Sequence, residues 1–137
     1  MIIIYNKIIP FGNYKAINLF SLLFTKSKNL SNKDINHERI HSFQMLELGA
    51  VGCVMLLLLS FVFGFSYMWS LCGILSFYLW YCIEYVIVRF FHTKQNSAYH
   101  DISLEEEAYE NDDNLTYIQS RKWFNWLKYI KIKSYKK

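Results

Sequence analysis

Residues 48–83 form a run of 36 without a single charge, closed by Glu47 on one side and Glu84 on the other. Uncharged apolar stretches of 18 or more residues read as membrane-spanning. A helical hairpin buried in a soluble core is the competing reading, but a chain of 137 residues has too little polar material to cover one. As one helix the run would reach about 54 Å, far beyond the roughly 30 Å of a hydrocarbon core. Two helices fit, broken at Gly64-Phe65-Ser66, with legs at 48–63 and 67–89. The first leg is short, which favours a thinned bilayer or a shallow hairpin. Tyr67, Trp69, Tyr78, Trp80, Tyr81 and Tyr85 suit the membrane interfaces or helix packing. Cys53, Cys72 and Cys82 all lie in the run and form no CxxC pair, so they read as small hydrophobes, not as a disulfide framework.

A hairpin returns the chain to the face it left. Both flanks are basic, with Lys7, Lys15, Lys26, Lys28, Lys33 and Arg39 before it and Arg89, Lys94, Arg121, Lys122 and Lys128 after it. The positive-inside rule then predicts an integral protein of the cytoplasmic membrane with two spans and both termini in the cytoplasm. Residues 1–9 do not read as a signal peptide, because a Lys interrupts a short apolar stretch and no small-residue cleavage site follows. Residues 121–137 carry seven Lys or Arg and no acid, and Trp123, Trp126, Leu127 and Ile130 share one helical face. This predicts a basic amphipathic helix on anionic lipid. Nucleic-acid binding competes for such a stretch, and the adjacent hairpin disfavours it. At the other end, β-branched and aromatic residues predict a β-hairpin with strands at 2–9 and 15–24 and a turn at Pro10-Phe11-Gly12-Asn13, within a hairpin-and-loop segment 1–30. Ser31 with Asp34 forms a capping box that opens a helix over 31–47. The expected fold is a single α+β membrane domain.

That helix carries the chemistry. His37-Glu38-Arg39-Ile40-His41 is an HExxH motif. On a helix His37 and His41 leave the same face and meet one metal, while Glu38 sits beside them within reach of a water. An exposed polar turn ahead of the membrane is the bland alternative. Catalytic zinc takes three protein ligands, so a third is needed. His92, His100 and the acidic stretch 101–113, where seven of thirteen residues are Asp or Glu, offer candidates. Ser103 with Glu106 reads as a capping box opening a ligand-bearing helix over 103–120, on which Glu105, Ala108, Tyr109 and Asp112 share a face. Most of these acids read as a solvated surface.

HExxH followed some sixty residues later by Glu-x-x-Ala on a second helix resembles the integral-membrane gluzincin zinc metallopeptidases, in a minimal form. Glu105-Glu106-Glu107-Ala108 matches their third-ligand motif, which implies Glu105 as the ligand. Tyr109 stands where those families often have the Asp that braces the first His, so Asp112 or Asp101 is expected to replace it. The resemblance implies Zn2+, a peptide or protein substrate, and Glu38 as general base. Tyr109 and His100 are candidate oxyanion donors. Residues Ala16, Ile17, Asn18 and Leu19 are the expected edge strand for an extended substrate. Topology agrees, since only a hairpin brings a residue beyond the second leg back to His37 and His41. Gln44, on the ligand face, either bonds within the site or is simply polar at the membrane edge, the second being favoured. Glu84 is an intramembrane ionisable group or, as favoured, an interfacial mark beside Arg89. The alternative function is a non-catalytic membrane sensor, transducer or scaffold with a structural or regulatory zinc. Short spans and a small core leave room for self-association or a membrane partner.

Overall fold

A computed structural model of the chain describes residues 1–6, 8–9, 15–91 and 95–130, with backbone alone at 95–97. The architecture is α+β, mostly helical with one small sheet. Strands β1 (Ile2–Tyr5), β2 (Ala16–Leu19) and β3 (Leu22–Thr25) run in the order β1-β3-β2. β1 pairs parallel to β3, with Ile2 opposite Leu22, and β2 pairs antiparallel to it, with Leu19 opposite Leu22. This corrects the expected hairpin of two longer strands. The first strand stops at Tyr5 because the Asn6 side chain accepts the amides of Ile8 and Ile9 and turns the chain. The second expected strand is itself a hairpin, turned at Phe20 and Ser21, both left-handed with φ of 52° and 63°. No Asn-Gly signal announces that turn. Instead Phe20 is anchored, its ring edge-on to Tyr78 at 5.3 Å and its amide donating to the Tyr78 hydroxyl at 3.0 Å. The expected turn at 10–13 lies outside the described residues.

Helix α1 (Asn32–Phe63) joins the motif helix and the first apolar leg without a break. Both halves of the Ser31–Asp34 capping box form, and Gly64 ends the helix at φ 71°, as the break at 64–66 anticipates. The second leg, 67–91, is a 3-10 segment (Tyr67–Leu75) leading into α2 (Ser76–Phe91). The legs cross at two glycines. A Cβ on Gly73 would overlap the Cys53 backbone, and one on Gly52 would overlap Ser76 and the Gly73 carbonyl. Small residues here let two backbones touch. Both legs are long and apolar enough to cross a membrane, yet only 22% of each apolar window is buried. Phe61, Trp69, Val86 and Phe90 all stand exposed. Such a surface does not fit a hairpin buried in its own soluble core.

After α3 (Gln95–His100) comes α4 (Ser103–Asn111), shorter than the expected helix over 103–120. It stops because the Asn36 amide reaches from α1 and donates to the carbonyls of Asn111, Asp112 and Asn114, holding a turn before α5 (Tyr117–Ser120). Nor does Ser103 cap α4, whose N-cap is Ile102 with no side-chain bond. The cap comes from α2, where buried Glu84 accepts the Ser103 amide at 2.8 Å, its hydroxyl at 2.7 Å and the Trp80 indole at 3.0 Å. A carboxylate at a helix N-terminus meets both the orphan amides and the dipole. Glu84 thus caps α4, a role its sequence position did not announce. The expected amphipathic helix at 121–137 is corrected too. Residues 121–130 form only a short 3-10 turn (Asn125–Tyr129), and its Trp126 is buried against Trp80 in a core with Phe77, Ile102 and Leu104. Residues 131–137 lie outside the described residues.

Gly73→Leu should force the legs apart and cost about 3 kcal/mol or more, read as a lowered unfolding midpoint by far-UV circular dichroism.

Candidate metal centre

α1 presents His37 and His41 one turn apart, and α4 brings Glu105 against them from beyond the hairpin. The two Nε2 atoms are 3.1 Å apart, and each Glu105 oxygen is 3.4 Å from one of them. A tetrahedral zinc with bonds of about 2.1 Å needs ligand atoms about 3.4 Å apart. His41 and Glu105 are buried, and Glu105 Oε2 has no hydrogen-bond partner. One donor atom from each of the three lies within 4.8 Å of the others, so the set is close enough to hold a cation. Burial opposes charge on His41, but the Glu105 carboxylate outweighs it and raises the imidazole pKa. Burial pushes Glu105 up, yet the imidazoles, His41 first, hold it well below the usual carboxylate range.

The surroundings are polar and connected. Tyr81 on α2 donates to Glu105 Oε1 at 2.9 Å, and the Tyr99 hydroxyl also bonds Glu105. Burial, then the Glu105 charge, pushes the Tyr99 phenol up, so it stays a donor. Asp112 lies behind His37, 3.7 Å from Nδ1, and pairs with Lys33 at 3.1 Å. Gln44 is fully buried and bonds His41 Nδ1 at 2.7 Å, the less favoured of its two expected places. Glu107, read as surface, is fully buried. It accepts Arg121 Nε at 2.9 Å, Tyr117 at 2.8 Å and Gln44 at 2.9 Å. Arg121 grips Glu47 with its other edge, and the Phe124 amide adds a bond to the same carboxylate. Burial raises the Glu107 pKa, and Arg121 more than reverses this.

A cleft of about 280 Å³ opens on the cluster. Glu38, His41 and Glu105 line it, together with all of Ala16, Ile17, Asn18 and Leu19, which form β2. Among the described residues β2 pairs with β3 alone. Its Asn18 amide donates to the Glu38 carbonyl at 2.8 Å and to Ser42 at 3.1 Å, pinning the strand to α1. Among the described residues nothing donates to the Glu38 carboxylate. Tyr109 packs at a tilt against His37, ring centroids 4.6 Å apart and planes 59° apart, and lines a second hollow that continues past Glu38 and Tyr99. His100 packs on Tyr109 at the rim, and His92 lies outside the described residues. Tyr81, Tyr99, Asn36, Glu107 and Arg121 escape sequence reading, since each acts through a partner distant along the chain.

Compared with protein-family models, with curated proteins and with solved structures, the chain matches none.

Arg121→Met should leave Glu47 and Glu107 buried without their cation and cost about 3–5 kcal/mol, measured by denaturant unfolding.

Proposed function

We propose that this chain is a membrane-embedded zinc endopeptidase of gluzincin type, with His37, His41 and Glu105 as metal ligands and Glu38 as general base. The observation that carries the reading is the cleft in which Glu38, His41 and Glu105 stand along the whole of β2. An unpaired strand edge accepts an extended peptide through main-chain bonds and lays it across the reacting groups. Zinc held by the three side chains would supply Lewis acidity, polarising a carbonyl and acidifying water. Glu38 takes the proton of the attacking water and returns it to the leaving amine. Tyr99, on both parts of the groove, is the proposed donor to the carbonyl oxygen as charge develops there, its one hydrogen turning to that oxygen from Glu105 once a metal would answer the carboxylate. Ile17, Leu19, Met45 and Phe77 give the groove apolar walls suited to a bulky apolar side chain.

The exposed apolar legs support insertion of the hairpin in the cytoplasmic membrane. The basic flanks favour the cytoplasmic face for both termini and for the cleft. A structural or regulatory zinc in a sensor or scaffold has no need of a general base in an open groove.

Purified in detergent, the chain should hold about one zinc, and Glu105→Ala should lose it. Glu38→Gln should keep the metal and slow cleavage of a quenched-fluorescence peptide library by about 10²–10⁴-fold. Undiminished cleavage by Glu38→Gln, or a wild type that binds no metal, would overturn the proposal. Tyr99→Phe should lower kcat by about 10²-fold with KM little changed, measured on a peptide from the same library.

A further inference from the structure

Polar groups reach His41 from behind and lead back to the segment after α5. Gln44 Oε1 is 2.7 Å from His41 Nδ1, and Gln44 Nε2 is 2.9 Å from both the Leu104 carbonyl and Glu107 Oε2. A carbonyl and an Arg-paired carboxylate only accept, so the NH2 of the amide must face them. The amide oxygen is thereby turned to His41, and an oxygen facing Nδ1 requires Nδ1 to carry the hydrogen. In the neutral ring the lone pair is then on Nε2, the atom aimed at His37 and Glu105. Glu107 is held in turn, with Arg121 on both its oxygens at 2.9 and 3.0 Å.

We propose that Gln44 is a positioning residue. With Glu107 and Arg121 it fixes the ring orientation of His41 and the tautomer that leaves Nε2 free, so the metal affinity of the site is set from the C-terminal segment. The inference rests on reading His37, His41 and Glu105 as a metal site, and adds to it residues that touch no metal.

The test is zinc affinity of the full chain in detergent, by competition with a chromogenic chelator, beside far-UV circular dichroism of each variant. Gln44→Leu, close in volume, should bind zinc about 10–100-fold more weakly than wild type while staying helical. The exchange variant Gln44→Glu/Glu107→Gln restores an acceptor at Nδ1 and an amide–carboxylate bond between positions 44 and 107, while giving up the bond to the Leu104 carbonyl. It should bind about tenfold more tightly than Gln44→Leu, a rescue that a purely structural role would not produce. Zinc bound by Gln44→Leu as tightly as by wild type would overturn this inference and leave the metal site standing. A wild type without zinc affinity would overturn both. Should Gln44→Leu fail to fold, the exchange variant decides, and a folded exchange variant more than tenfold weaker than wild type would overturn the inference.

Discussion

Five carboxylates are buried among the described residues: Glu47, Glu84, Glu105, Glu107 and Asp112. Burying a charge is costly unless a partner answers it, and that requirement organises the base of the hairpin. Arg121 answers Glu47 and Glu107 together. Lys33 answers Asp112, and the N-terminus of α4 answers Glu84. Each pairing joins elements far apart in the chain, so charge compensation is also what folds residues 95–130 onto α1 and α2. Glu105 is the exception. Its partners are two imidazoles and two phenols, which carry no positive charge until a proton or a metal arrives. Glu105 is thus a buried anion with an oxygen that has no hydrogen-bond partner among the described residues, facing two imidazole nitrogens, which is why a cation is proposed there.

The motif helix and the break between the two legs were legible in sequence because their signals are local. The four-residue spacing of His37 and His41, the Ser31–Asp34 box and the Gly64 break all act within one or two turns of chain. That Glu105 is the acid that comes to lie beside His37 and His41 was legible only through resemblance, since nothing local distinguishes it from Glu106 or Glu107. What escaped was every choice settled by a distant partner. Arg121 among lysines reads as surface charge until Glu47, 74 residues earlier, is found beside it. Glu84 reads as interfacial until Ser103 is seen to lack a cap of its own. The turn at Phe20 breaks local rules for non-glycine residues and stands because Tyr78 holds it.

Hydrogen bonding separates the two faces of the cluster. Behind it, Gln44, Asp112 and the Glu107–Arg121 pair bond or flank the far nitrogens of both imidazoles. In front, Glu38 has no donor among the described residues and the β2 edge has no strand partner. On the proposed peptidase reading, ligands held from behind and an open groove in front suit a reaction in which the side chains stay fixed while a substrate comes and goes.

The two halves of the centre belong to different legs of the hairpin. His37 and His41 ride on α1, continuous with the first leg, whereas Glu105 is held by Tyr81 on α2 and rides on a helix capped by Glu84 of α2. The spacing of the ligand atoms is therefore the spacing of the two legs at their base. The Gly52–Gly73 crossing sets that spacing from within the apolar hairpin, three turns of α1 beyond His41. The apolar run thus does more than return the chain to one face. Its backbone contact fixes the legs that carry His41 and Glu105, 3.4 Å apart, so on the proposed reading a change that slides one leg along the other should act on the metal they would hold.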